Sequence, residues 1–167
     1  MALMPTDMID QAEVEDWGVI KTTTKEPDIM RLIKISDAIL DMRERTKADL
    51  VAIEGYSYGA INAREKMGEL SGVIKFRLFE EDIPYLVFPP LTWRKVVLGK
   101  AIGRKDEVAM LLTQRYPIWG IDNVDAIEAA GVAACAQIFK MTQPEDWKQY
   151  QKDAFKKLNI AIATGER

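Results

Sequence analysis

The sequence predicts an α/β domain in which helices flank a sheet. Two short apolar runs, at residues 50–54 and 85–88, have the length and the β-branched or aromatic content of buried strands. Longer segments with apolar residues at helical spacing alternate with these runs, an order that favours parallel strands. A chain of 167 residues is long enough to form one domain with its own core.

The remaining elements follow from the same periodicities. Pro27 and Asp28 suit the start of a helix, whose apolar stripe extends to about residue 45. Gly68 and Gly72 lie four apart in another helical pattern. Because each glycine costs about 1 kcal/mol relative to alanine there, the pair predicts a close contact with a neighbouring element. In chain order, the predicted elements are a strand at 17–22, a helix at 28–45, strands at 50–54 and 85–88 separated by a helix at 62–80, helices at 92–98 and 106–115, and an alanine-rich helix beginning near residue 122.

The two ends of the chain are predicted to be peripheral to this domain. Residues 1–16 carry five acidic side chains, no basic one and no clear period, which predicts an acidic arm. The predicted domain spans residues 17–141. Thr142 and Glu145 have the spacing of a capping box, which predicts that residues 142–167 form an amphipathic helix with one aromatic side and one lysine-rich side.

The composition limits the chemistry that this protein can perform. It contains no histidine, which removes the usual general base and the usual zinc ligands. A metal site must then rest on carboxylates, which favour hard cations such as magnesium or manganese. The single cysteine, Cys135, excludes an intramolecular disulfide. No apolar run approaches the roughly 20 residues of a membrane helix and no signal peptide is evident, so we expect a cytoplasmic protein without a membrane partner.

Three acidic side chains stand out by their positions. Glu54 ends a predicted core strand, and ligands of α/β sheets collect beyond the carboxyl ends of the strands. Asp122 and Asp125 lie three apart at the start of the alanine-rich helix, where they would share one helix face, and Glu128 continues that spacing. Two interpretations stay open. Either Asp122 caps the helix while Asp125 interacts with the macrodipole, or the acids form a divalent-cation site.

A basic segment lies between Glu54 and Asp122 along the chain. It contains five bases and no acid, and such a patch can contact nucleic-acid phosphates, although a merely solvated surface is the alternative. Together with the acids and the missing histidine, it indicates a nuclease in which two cations about 3.5–4 Å apart assist phosphodiester cleavage. The five bases are Arg94, Lys95, Lys100, Arg104 and Lys105.

The order of these motifs resembles that of RuvC-type Holliday junction resolvases. Val51-Ala-Ile-Glu-Gly-Tyr-Ser-Tyr58 resembles the second catalytic strand of that family. Pro90-Leu-Thr-Trp-Arg-Lys-Val-Val-Leu-Gly99 resembles its Pro-x-x-(x)-Lys/Arg-x-x-Val-x-Gly element, and Lys105 matches a loop lysine six residues after the glycine. Asp122-Asn-Val-Asp-Ala126 matches its closing Asp-x-x-Asp-Ala before an alanine-rich helix. The resemblance covers roughly residues 17–139.

The resemblance implies a ribonuclease H-like mixed sheet flanked by helices. It also implies a magnesium-dependent endonuclease, with manganese as a substitute cation, that cleaves four-way DNA junctions. A homodimer is expected because a junction presents two symmetric strands to cut. Glu54, Asp122 and Asp125 would ligate the metal, and Lys105 would approach the scissile phosphate.

The resemblance also suggests which residues would contact DNA. Arg94 or Lys95 would hold the DNA backbone, and Lys100 and Arg104 extend the same basic segment. Two aromatic residues flank the position where the family can place an aromatic side chain near the junction's bases. These are Tyr56 and Tyr58, with Ser57 at the position itself.

One departure concerns the start of the domain. The family begins with a central strand that ends in its first catalytic aspartate, whereas residues 17–22 best match its third strand. Asp10 is a weak substitute because Pro5 and Asp7 interrupt the preceding segment. An N-terminally shortened domain is therefore expected, with weak or absent cleavage by the chain as written. The alternative to an enzyme is a non-catalytic DNA-binding or assembly protein with the same fold.

Overall fold

The computed structural model describes residues 17–55, 64–101, 104–116 and 121–156, which contain six helices and two strands. Their order confirms the predicted alternation of helix and strand. The elements are α1 (Asp28–Thr46), β1 (Val51–Glu54), α2 (Arg64–Glu80), β2 (Tyr85–Phe88), α3 (Pro90–Leu98), α4 (Lys105–Arg115), α5 (Val124–Met141) and α6 (Gln149–Phe155).

The two described strands pair in parallel, as the sequence predicted. Val51 lies opposite Tyr85, and the register continues to Glu54 opposite Phe88. Because successive side chains of a strand point to opposite faces, Glu54 lies on the same face as the small Ala52. The end of β1 therefore directs a carboxylate to one side of the sheet.

Helices cover both faces of the strand pair. Helices α1 and α2 pack together, and Val51, Ile53 and Tyr85 contact a small core built from Ile74, Leu78 and Ile83. On the opposite face, α3, α4, α5 and α6 enclose the larger core around the fully buried Trp93 and Leu112. Helix α5 also contacts β1, which brings the start of α5 to the end of that strand.

A close helix contact occurs at Gly131, in the middle of α5. A Cβ atom at this position would lie 2.7 Å from Cζ3 of Trp93 and 3.0 Å from Cδ1 of Leu112. The predicted contact at Gly68 and Gly72 is not found among the described residues, because a Cβ at either position would meet none of their atoms within 4 Å outside the local helix backbone.

Two other predictions about secondary structure need correction. Residues 17–22 form no strand. They do not pair with β1 or β2, and Trp17 and Val19 remain exposed. In this segment an apolar pattern alone was insufficient to predict a strand. The last helix begins at Gln149 rather than near Thr142, because the hydroxyl of Thr142 donates to the Ile138 carbonyl at the end of α5 instead of capping a new helix.

Two further observations bear on the ends of the chain and on membranes. The acidic arm, residues 1–16, and residues 157–167 of the predicted C-terminal helix lie outside the described residues. None of the helices within the described ranges combines the length and apolar character required to cross a membrane.

Candidate functional site

A pocket of about 280 Å³ lies where the end of β1 meets the first residues of α4 and α5. Its wall combines three carboxylates and one ammonium with three apolar side chains. The lining residues are Ala52, Glu54, Lys105, Asp125, Glu128, Ala129 and Val132. Three of the four predicted catalytic residues, Glu54, Lys105 and Asp125, are therefore brought together in one pocket.

Glu54 reaches the pocket from the last position of β1. The indole Nε1 of Trp93 donates a hydrogen bond of 2.9 Å to Glu54 Oε1. Trp93 is fully buried in the core, so its indole cannot rotate freely. This contact orients the carboxylate before any ligand arrives.

The start of α5 differs from the interpretation in which Asp122 caps the helix. Asn123 caps the helix, with its side-chain oxygen accepting from the backbone N–H groups of Asp125 at 3.0 Å and Ala126 at 3.1 Å. The prediction that Asp122 caps the helix is wrong, and Asp122 does not share a helix face with Asp125, because it precedes the helix. Asp122 is exposed and is absent from the pocket wall.

Asp125 and Glu128 instead form the pair that shares one face of α5. They are three residues apart, which places their side chains about one turn apart on that face. Lys105 Nζ donates to Asp125 Oδ1 at 2.6 Å and lies 3.4 Å from Glu128 Oε2. The hydrogen bond to Asp125 raises the pKa of Lys105, and the charge of Glu128 adds to this effect, while partial burial opposes it.

Glu128 also forms a second ion pair on its buried side. Arg94 Nη2 donates to Glu128 Oε1 at 2.6 Å, and only 10% of the Arg94 side chain and 5% of the Glu128 side chain are exposed. A buried charge is tolerated when it is paired in this way. Arg94 therefore belongs to the interior of the domain. Its burial leaves little of the guanidinium accessible for the expected contact with DNA.

The other predicted DNA-binding residues occupy different environments. Lys95 is half-buried, whereas Lys100 and Arg104 are exposed. Arg104 donates to both carboxylate oxygens of Asp106, at 3.1 and 2.8 Å. The structure does not describe Tyr56, Tyr58 or the candidate Asp10.

Two residues that shape the pocket were not identified from the sequence. Glu128 was noted only for its spacing after Asp125, although a glutamate amid alanines on an apolar helix was a signal that it has a buried partner. Trp93 gave no comparable signal. Its hydrogen bond to Glu54 joins residues 39 positions apart, a contact that no local pattern contains.

The donor chemistry of the pocket fits a hard divalent cation. Glu54, Asp125 and Glu128 offer only carboxylate oxygens, the ligands that magnesium and manganese prefer. Within the described ranges, however, no three acidic side chains are close enough to form a ready-made metal cluster. Their carboxylates are instead held by protein donors, from Trp93, Lys105 and Arg94.

Comparisons with known proteins agree on one family. The family model described as "Crossover junction endodeoxyribonuclease RuvC" matches residues 6–136. A protein of that name from Prochlorococcus marinus (strain MIT 9211) is 27% identical over 108 residues, which cover 65% of this chain and 68% of the relative. Another from Sorangium cellulosum (strain So ce56) is 25% identical over 117 residues, covering 70% of this chain and 65% of the relative. The chain thus spans about two thirds of the length of these relatives.

A solved structure extends the similarity to three dimensions. Thermus thermophilus RuvC in complex with a Holliday junction substrate matches with a TM-score of 0.61 at 22% identity. The match covers 73% of this chain and 75% of the other. It confirms the predicted ribonuclease H-like α/β fold.

Proposed function

Because this chain belongs to the RuvC family of crossover junction endodeoxyribonucleases, we propose that it hydrolyses phosphodiester bonds at four-way DNA junctions. One observation carries the proposal. A strand-end carboxylate, Glu54, a helix carboxylate, Asp125, and a lysine, Lys105, converge on one pocket although they are distant in sequence. Such a combination of metal-ligating oxygens with a cation suits phosphoryl chemistry.

We propose that magnesium, with manganese as a substitute, is the cofactor and is held by Glu54, Asp122 and Asp125. A bound divalent cation supplies charge stabilisation and an acidified water molecule. The protein's own groups have separate tasks. Trp93 orients Glu54 through its hydrogen bond, and Lys105 would stabilise negative charge that develops on the phosphate.

We propose that the DNA backbone is contacted by Lys95, Lys100 and Arg104, with Tyr56 and Tyr58 near the junction's bases. The exposure of Lys100 and Arg104 supports this assignment, whereas the burial of Arg94 favours an internal role for that residue. We also propose a cytoplasmic location, as expected from the sequence.

The salt dependence of junction binding tests the basic segment. Each lost phosphate contact should lower the slope of log affinity against log salt by roughly 1. We expect this change for Lys100→Glu and Arg104→Glu, but not for Lys66→Glu on the exposed surface of α2. Unchanged affinity and slope in the first two variants would identify a merely solvated surface.

We propose that the active form is a homodimer. A four-way junction presents two symmetric strands, which a two-fold dimer matches. Large apolar side chains on α1 and α2 support a contact there, because Ile29, Ile33 and Phe76 are 59, 42 and 59% exposed. Phe76→Asp should yield a monomer in light scattering, whereas Leu91→Asp, at an exposed position of α3, should leave the dimer intact.

A second candidate is a non-catalytic protein that binds junctions. The observation that favours it is the engagement of each pocket carboxylate by a protein donor, without a ready-made metal cluster among the described residues. Such a protein would bind branched DNA in preference to duplex and leave it intact.

Incubation of the purified chain with a labelled four-way junction and magnesium or manganese distinguishes the two candidates. The enzyme should nick the junction, and Glu54→Gln should reduce the rate by more than about 100-fold. Glutamine keeps an oxygen that can accept from Trp93, so the fold should survive. The control is Asp82→Asn, an exposed residue with a left-handed φ of 51° that asparagine also tolerates. Tight junction binding without nicking would favour the non-catalytic protein.

A further inference from the structure

Four charged side chains form a balanced network at the base of the pocket. Lys105 lies between Asp125 and Glu128, at 2.6 and 3.4 Å, and Arg94 binds the other oxygen of Glu128 at 2.6 Å. Two positive charges thus face two negative ones. With Lys105 in place, these four side chains carry no net charge, and among the described residues of the pocket wall only Glu54 adds a negative charge that can attract a divalent cation.

The two cations of this network differ in how firmly they are held. The Arg94 side chain is only 10% exposed and lies within the core, whereas the Lys105 side chain is 63% exposed. Lys105 is also the first residue of α4, where the helix macrodipole disfavours a positive charge. Its flexible stem and its solvent-exposed ion pair with Asp125 allow Lys105, rather than Arg94, to leave the carboxylates.

We infer that Lys105 and a divalent cation compete for Asp125 and Glu128, so that cation binding displaces the lysine ammonium from these carboxylates. Departure of Lys105 leaves two carboxylates against Arg94, a net charge of −1 that adds to the charge of Glu54 and attracts a cation of charge +2 more strongly. The inference rests on the proposed function only in that the cation is the proposed cofactor. It adds Glu128 to the cation site and gives Lys105 two alternative positions.

Displacement would link the cation to phosphate binding. While Lys105 is paired with Asp125 and Glu128, its charge is neutralised; once displaced, the ammonium is available to a phosphate at the pocket. The cation should therefore strengthen junction binding, and by linkage the junction should strengthen cation binding. Without Lys105, this part of the coupling disappears.

The test is a titration of the full chain with Mn²⁺ in the absence of DNA. Electron paramagnetic resonance measures the concentration of free Mn²⁺ at each step. Lys105→Met keeps the length of the side chain and removes its charge. We expect it to bind Mn²⁺ about three- to tenfold more tightly than the unmodified chain, the effect of removing two partly exposed ion pairs. The matched control is Lys140→Met, because Lys140 pairs with a single exposed carboxylate, Asp49, outside the pocket. It should leave the affinity unchanged.

A second measurement follows the lysine itself. In a chain with ¹³C-labelled lysine, the Lys105 Cε signal, assigned by its loss in Lys105→Met, should shift as Mg²⁺ is added and saturate with cation binding. Unchanged or weaker Mn²⁺ affinity in Lys105→Met would overturn the inference. So would a Lys105 Cε signal that does not shift when Mg²⁺ is added. A chain that shows the competition but leaves junctions intact would refute the proposed cleavage alone.

Discussion

Replacement of Gly131 by alanine tests the packing that places the site. The added methyl carbon would lie 2.7 Å from Trp93 Cζ3 and 3.0 and 3.2 Å from the two methyl carbons of Leu112. Trp93 and Leu112 are both fully buried, so neither side chain can move into solvent. Either the indole or the whole of α5 must shift.

The expected loss of stability follows from two opposing terms. Overpacking a filled core costs about 1–3 kcal/mol, and a contact this short on a rigid indole places the cost in the upper half of that range. Alanine gains about 1 kcal/mol over glycine within a helix. The variant should therefore be less stable by about 1–2 kcal/mol, although helix propensity alone predicts a more stable protein.

Urea unfolding monitored by circular dichroism measures this difference in stability. We expect a lower midpoint, with an unchanged slope of the free energy of unfolding against urea concentration. Ala133→Gly calibrates the propensity term, because Ala133 is an exposed residue of the same helix and its replacement should cost about 1 kcal/mol. A Gly131→Ala variant at least as stable as the unmodified chain would refute the described packing of α5 on Trp93.

Three further predictions concern stability and reactivity. Glu128→Ala should destabilise the protein by about 3–5 kcal/mol in urea unfolding, because buried Arg94 loses its balancing carboxylate; a loss below about 1 kcal/mol would contradict a buried ion pair. Burial raises the pKa of Cys135, so a thiol reagent should label it in denaturant but not in the folded protein, and rapid labelling of the folded protein would place this residue at the surface. The hydrogen bond from Lys140 lowers the pKa of Asp49, so its contribution should be present above the ordinary carboxyl value of about 3.9 and disappear as pH falls through the lowered value. Unfolding of Asp49→Asn should accordingly differ from that of the unmodified chain at pH 7 and converge with it in acid, whereas a difference that persists in acid would exclude this ion pair as the cause.

Local sequence patterns were sufficient to predict most of the secondary structure and the class of the candidate site. Four-residue apolar runs became β1 and β2, and the helical periodicities became α1 to α5, because burying an apolar face requires that period. The position of Glu54 at a strand end and the missing histidine were enough to predict a carboxylate site. The order of motifs was enough to suggest the family.

Tertiary structure decided which polar groups meet. Asn123 rather than Asp122 caps α5, Arg94 lies inside the domain, and Glu128 joins the pocket. The Arg94–Glu128 pair joins residues 34 positions apart, so it depends on how α3 packs against α5. Side-chain periodicity indicates which face of an element is buried. The partner of a buried charge, however, is determined by elements from distant parts of the chain that pack against that face.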